Sequence, residues 1–108
     1  MLFRSLALLD PGIVLHADAA AVEASLARAG AGAPILAPEV HGSDAVARTF
    51  SGRARAAQPA IVDGHAGLVF APGGRPLVVF NFVVENGRIT EISLTADARD
   101  IEEFDLEF

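Results

Sequence analysis

The chain has 108 residues, of which 52% are hydrophobic, which suits one domain with a substantial core. Because it contains no cysteine, disulfides, zinc–thiolate sites and thiol nucleophiles are excluded. The formal net charge is −6 and the eight basic residues, all arginines, are scattered, so direct binding to nucleic acid is not expected.

The first half of the chain predicts helices and short strands. In order, we predict the end of a helix over residues 2–9, a strand over 13–18, a helix over 19–29, an edge strand at best over 35–41, and a helix over 43–55 with Ser43 as its N-cap. The apolar start is too short for a signal peptide. No stretch approaches the roughly 18 consecutive apolar residues of a membrane span, so we expect a cytoplasmic protein without membrane contact.

The second half predicts an antiparallel meander. Its strands span residues 57–63, 66–71, 76–85 and 88–96. Asn86-Gly87 between the last two predicts a type I′ turn, which needs positive φ at both central residues. The acidic tail carries Ile101, Phe104 and Phe108 at a spacing that would let a short amphipathic helix or strand dock on the domain. The pattern predicts an α+β fold.

A regular register around this turn predicts which side chains share a face. It places Phe82 opposite Glu91, and it separates Asn81 and Ile92 on one face from Phe80, Phe82 and Glu91 on the other. Neither face is polar throughout, so both need cover. We expect the helix over 43–55 on one side and a ligand cavity or a second subunit on the other; the alternation does not tell which face is which.

Several segments resemble SnoaL-like domains of the nuclear-transport-factor-like superfamily. They read LALLDPGIVLHAD, HGSDAVARTFSGRARAAQPAIVDGHAGLVFAPGGRP and ENGRITEISLTAD. The chain is most similar to the SnoaL-like domains at the C-terminus of some extracytoplasmic-function sigma factors. The matching residues are Val40, Gly42, Val46, Ala47 and Arg48, followed by Pro59, Ala60, Val62, Gly64, Gly67, Leu68 and Val69.

The resemblance covers residues 6–106 and implies a single SnoaL-like domain over residues 1–108 that lacks the usual first helix. It implies a cone-like, strongly bent antiparallel meander sheet packed on helices, with a pocket between them and dimerisation through the sheet. Two motifs linked to control of the sigma factor in such relatives are replaced here, by Ala19-Ala20-Ala21 and by Ala96-Asp97-Ala98-Arg99.

Three residues are candidates for catalysis. His16 and Asp18 lie two apart on one predicted strand and could form an acid–base pair on one face. Alternatively, Asp18 caps the following helix and His16 is structural. Glu91 would suit general-base work if its face lines an apolar pocket, and would otherwise be an exposed rim carboxylate.

Four residues are candidates for ligand binding. Asn81 is the strongly polar group on its face and would supply a hydrogen bond inside an apolar site, with Phe80, Phe82 and Ile92 as apolar contacts. The alternative for Asn81 is an amide paired with backbone or water. The three histidines do not show metal-ligand spacing, and no cofactor is expected.

Two functions remain open from the sequence. The first is a non-catalytic module that binds a small apolar ligand or another protein, as a homodimer, with a protein of the transcription machinery as a possible partner. The second is a small SnoaL-like isomerase, cyclase or dehydratase that acts on an apolar substrate. The first is favoured because no convincing catalytic set is present.

Overall fold

The computed structural model describes residues 9–29, 37–53 and 57–108. Its elements are β1 (Leu9–Ala17), α1 (Ala19–Ala29), β2 (Glu39–His41), α2 (Ser43–Arg53), β3 (Gln58–Val62), β4 (His65–Phe70), a 3₁₀ turn (Pro72–Gly74), β5 (Val78–Glu85), β6 (Arg88–Thr95), α3 (Ala98–Glu103) and β7 (Leu106–Glu107). The predicted helix over 2–9 lies outside the described residues except for Leu9, which begins β1.

The described strands form one seven-stranded sheet in the order β2-β1-β6-β5-β4-β3-β7. The predicted meander is confirmed, since β3, β4, β5 and β6 are successive antiparallel neighbours. The sheet as a whole is mixed rather than antiparallel, because β1 runs parallel to β6. This pairing joins strands that are far apart in the sequence. The periodicity of a strand predicts which side chains share a face, but it does not predict which strand lies beside it. The fold is therefore α+β with a mixed sheet.

The turn predicted at Asn86-Gly87 is present. Asn86 has φ 52° and Gly87 has φ 77°, the left-handed values that a type I′ turn requires. Asp63 and Gly64 join β3 to β4 with similar values of 49° and 81°. The hairpin at Asn86-Gly87 therefore turns where the sequence predicts.

The predicted register of the β5–β6 hairpin is wrong beyond the first pairs. Val84 lies opposite Ile89 as expected, but the register then shifts and Val83 lies opposite Glu91. Thr90 is the extra residue of a β-bulge, which no turn residue signals in advance. Phe82 consequently lies opposite Ile92 rather than Glu91, and Asn81 lies opposite Ser93.

One face of the sheet, the helical face, packs against α1 and α2. Its strands contribute the buried side chains of Leu9, Ile13, Leu15, Leu68, Phe80, Ile89, Ile92 and Leu94. The helices add Ala21 from α1 and Val46 from α2. Burying such side chains contributes on the order of 1.5–3 kcal/mol each to stability, so this face is the main core.

Among the residues that the structure describes, the opposite face is covered at one end. There Val62, Val69 and Val79 form a second core with Ala60 and with Ile101 of α3, and Phe104 packs against it as predicted. Phe108, also expected to dock, is exposed. The remainder of this surface, over β2, β1, β6 and the adjoining part of β5, is the open face. The predicted need for cover on both sides is therefore met in part by the tail.

Candidate functional site

Polar side chains form a row across the open face. Glu39 on β2 lies opposite His16 on β1, His16 lies beside Ser93 on β6, and Ser93 lies opposite Asn81 on β5. Paired residues in adjacent strands project from the same face, so these four side chains, the polar row, share one surface. The bulge at Thr90 is what brings Asn81 onto the same face as Ser93 and Glu91.

His16 lies between two carboxylates contributed by the neighbouring strands. Its Nδ1 is 3.7 Å from Glu39 Oε2, and its Nε2 is 3.9 Å from Glu91 Oε1. His41 Nε2 forms a hydrogen bond with Glu39 Oε1. The predicted candidates His16 and Glu91 are thus brought together, and Glu39 and His41 join them.

This histidine–glutamate cluster (His16, Glu39, His41 and Glu91) is open to water. Its side chains are 44–66% exposed. At such exposure an ion pair contributes only about 0–1 kcal/mol, because water screens the charges. The described residues do not enclose this cluster in an apolar site.

Asp18 has a structural role. Its Oδ1 accepts a hydrogen bond from Ala21 N at 2.8 Å, which confirms the predicted helix cap. Its Oδ2 accepts from Ala96 N and Asp97 N, both at 3.0 Å. The carboxylate is therefore engaged by three backbone amides, whereas His16 pairs with Glu39 and Glu91.

The predicted ligand-binding residues lie on two different faces. Phe80 and Ile92 are buried in the core of the helical face, and Phe82 packs against that core. Asn81 is half-buried on the open face, so it cannot line one pocket with the other three. Alternation along β5 already separates Asn81 from Phe80 and Phe82, and the hairpin bulge moves Ile92 to their face as well.

Glu39, His41 and Ser93 were missed as candidates. Glu39 and His41 alternate around Val40, and this spacing puts both on one face of any strand. The spacing can be read from the sequence, whereas the pairing of their strand with the strand that carries His16 cannot.

In the described part of the chain every buried side-chain nitrogen or oxygen has a hydrogen-bond partner. Within the same ranges there is no group of three or more histidine and acidic residues arranged to hold a metal ion.

The comparisons with known proteins show a similarity of fold. No protein-family model matches the chain, and no curated protein does. The fold is similar to the crystal structure of the Mycobacterium tuberculosis extracytoplasmic function sigma factor SigJ, with a TM-score of 0.57 and 22% sequence identity. The match covers 91% of this chain and 37% of that chain. It shows that this chain shares its fold with part of that sigma factor.

Proposed function

We propose that this chain is a non-catalytic interaction module that forms a homodimer through the open face, and that it acts in the cytoplasm on a protein of the transcription machinery. One observation carries the proposal. The helical face is packed by its own side chains, whereas the polar row and its neighbours on the open face remain half in water.

The open face has the mixed chemistry of a protein interface. Val83 is 43% exposed and lies opposite Glu91, beside the polar Asn81 and Ser93. Non-obligate interfaces combine apolar contacts with polar groups in this way, and they are no more apolar than the rest of a protein surface. A second copy would cover the part of the sheet that α3 leaves bare.

A small apolar ligand is a weaker proposal for the helical face. Ile13, Leu15 and Ile92 have no exposed area and Phe80 is 1% exposed. A ligand on this side would have to separate side chains that already pack together. A binding partner on the open face needs no such rearrangement.

The finer shape of the sheet is part of the same proposal. We expect the strongly bent, cone-like sheet of SnoaL-like domains. Two irregularities support it: the bulge at Thr90, and the register shift between Leu9 and Val14. Bulges increase local bend and twist, and these two lie on three adjacent strands, β1, β6 and β5.

The partner class is proposed from the fold similarity. The similar structure is a sigma factor, of which this chain spans 37% of the length. A domain of this kind would act beside other domains through its surface. The net charge of −6 favours contact with a protein rather than with DNA.

Light scattering over a concentration series tests the homodimer. The expected mass at high concentration is twice the 11.2 kDa of the chain. Val83→Glu should shift the protein toward monomer. Ile61→Glu is the matched control. Ile61 is 42% exposed, but it projects from the helical face, whereas its neighbour Val62 projects from the side that carries the open face. A wild type that stays monomeric at high concentration would overturn the proposal.

An enzyme is the second candidate, because His16 Nε2 approaches Glu91 Oε1 within 3.9 Å. The pair would supply acid–base chemistry for an isomerase, cyclase or dehydratase on an apolar substrate. In that case Glu91→Gln must abolish turnover while circular dichroism shows an intact fold, and Glu85→Gln at the hairpin end must not. Turnover that survives Glu91→Gln excludes this assignment.

A further inference from the structure

The C-terminal segment (residues 98–107, which contain α3 and β7) packs on the sheet through a core of its own. Ile101 is the buried residue of α3. It belongs to the second core, together with four side chains of β3, β4 and β5: Ala60, Val62, Val69 and Val79. Among the described residues, the main core contains none of this segment. The packing of α1 and α2 on the sheet therefore does not depend on it.

The contacts that β7 adds lie at the exposed edge of the sheet. Glu107 lies opposite Ile61 of β3. Asp63 N donates to Asp105 O at 2.9 Å, and Asp105 N donates to Asp63 Oδ1 at 2.7 Å. Exposed hydrogen bonds of this kind are readily exchanged for bonds to water. Since α3 has six residues, too few for a stable helix alone in water, the segment folds as it docks, and Ile101 is its main anchor.

The start of the segment is fixed independently of its docking. Asp18 Oδ2 accepts the backbone amides of Ala96 and Asp97, both at 3.0 Å. These two hydrogen bonds keep the end of β6 beside the start of α1 when the residues beyond Asp97 leave the sheet. Local opening of the segment would thus free its site on β3, β4 and β5 and leave the rest of the fold in place.

The structure itself shows one occupant that fits the freed site, which is the segment. The same sequence in a second copy would make the same contacts there, and exchange of an identical element between copies requires no new interface. The segment carries five acidic residues and one arginine, a formal charge of −4 in ten residues. Such a charge keeps it in water while it is undocked, so it stays available to another copy.

We propose that the C-terminal segment exchanges between copies of this chain, so that α3 and β7 of one copy dock on β3, β4 and β5 of another. This inference goes beyond the proposed function, because the exchanged segment and its site lie apart from the bare part of the open face. The contacts within one copy and between two copies are the same, so the exchanged fraction should rise with protein concentration.

Disulfide trapping tests the exchange, because the chain has no cysteine of its own. One chain carries Ile61→Cys and the other carries Glu107→Cys, two positions that lie directly opposite each other. Opposed residues in antiparallel strands have Cα atoms about 4.5–5.5 Å apart, a distance that a disulfide bridges. After the two chains are mixed at high concentration and oxidised, mass spectrometry should find a bond between positions 61 and 107. Glu102→Cys in place of Glu107→Cys measures the background, since Glu102 is exposed on α3.

One further substitution, placed in either chain, is the matched control. Ile101→Ala in the chain with Ile61→Cys vacates the accepting site and should raise the yield of the bond roughly tenfold, because apparent affinity follows the fraction of open sites. Ile101→Ala in the chain with Glu107→Cys weakens the docking segment and should lower the yield. Effects of the same sign would come from general destabilisation and would overturn the exchange, as would a bond no more frequent than the background.

A last variant separates the exchange from the contact through the open face. Val83→Glu in both chains should leave the yield of the bond unchanged, because Val83 lies outside the second core. If Val83→Glu removes the bond, the trapped chains met through the open face, and the exchange is wrong while the proposed function stands.

Discussion

Asp18 binds the backbone amide of Ala96, 78 positions further along the chain. The same carboxylate caps α1 through Ala21 N and accepts the amide of Asp97, where the chain leaves β6 for α3. One half-buried side chain thus fixes a helix start to the end of the strand that pairs with β1. Because β6 also carries Glu91 and Ser93, this contact helps to hold the open face in place.

Replacement of Asp18 should therefore cost more than an ordinary helix cap. We expect Asp18→Ala to lower the free energy of unfolding by about 2–4 kcal/mol, from the lost cap and two unsatisfied amides. Asp18→Asn should cost nearly as much, because its amide group would present donors to the donors of Ala96 and Asp97. Urea unfolding measures both.

Asp44→Asn is the control for the Asp18 variants. Asp44 is exposed in the first turn of α2, and its replacement should change stability by no more than about 0.5 kcal/mol. An Asp18→Asn variant as stable as the wild type would show that the second oxygen does not hold the two distant amides.

Gly67 is required by close packing rather than by its backbone angles. A Cβ at this position would lie 2.4 Å from Phe80 O and 2.8 Å from Val62 Cγ2. We expect Gly67→Ala to destabilise the protein by about 3 kcal/mol through overpacking, measured by thermal and urea unfolding. Gly12→Ala, whose Cβ meets only the half-buried Asp10 side chain at 3.3 Å, should cost less than about 1 kcal/mol. Equal losses for the two variants would contradict this reading.

The hairpin bulge predicts an unusual tolerance to deletion. Removing Thr90 leaves Val84 opposite Ile89 and Val83 opposite Glu91, so every later side chain keeps its face. We expect the Thr90 deletion to fold, with unfolding still cooperative. Deleting Ser93 instead would turn the buried Leu94 toward the open face and should abolish folding, since domains have only about 5–15 kcal/mol to lose. Circular dichroism and urea unfolding distinguish the two, and a folded Ser93 deletion would be the contrary result.

The C-terminal segment depends on one anchor. Ile101 is the buried residue of α3 and packs in the second core with Val62 and Val79. Ile101→Ala should destabilise the protein by about 2–4 kcal/mol and should accelerate amide exchange in α3 and β7 first. Glu102→Ala, on the exposed side of the same helix, is the control. Uniform loss of protection across the sheet would instead show that α3 unfolds only together with the whole domain.

Local chemistry explains the parts of the structure that could be predicted. Asn86-Gly87 specifies its turn through backbone angles, and the β-branched and aromatic residues on either side of it specify strands. Asp18 offers a cap at the right distance from α1. The tail could be assigned a docking role because Ile101 and Phe104 stand three apart among acidic residues.

The candidate site was harder to predict because it depends on pairing between distant segments. His16 pairs with Ser93 in a parallel contact and with Glu39 in an antiparallel one. Both pairings follow from tertiary packing, and sequence periodicity does not predict which strands become neighbours. The bulge at Thr90 reversed the relation of Asn81 to Glu91. Its trace in the sequence is the three-residue spacing between the buried Ile89 and Ile92, where regular alternation would require two or four. His16, Asn81 and Glu91 were named in advance, but not their common surface.

The parallel pairing of β1 with β6 has a consequence for synthesis. Leu15 meets Ile92 in the centre of the main core, so the early strand has no neighbour on that side until the late one has been made. During synthesis on the ribosome, the apolar side chains of Ile13 and Leu15 would stay exposed until β6 has been made. Exposed apolar side chains in an incompletely folded chain favour chaperone binding and aggregation. Folding should consequently be slow for a chain of this size, because the contact between Leu15 and Ile92 joins residues that are separated by most of the chain.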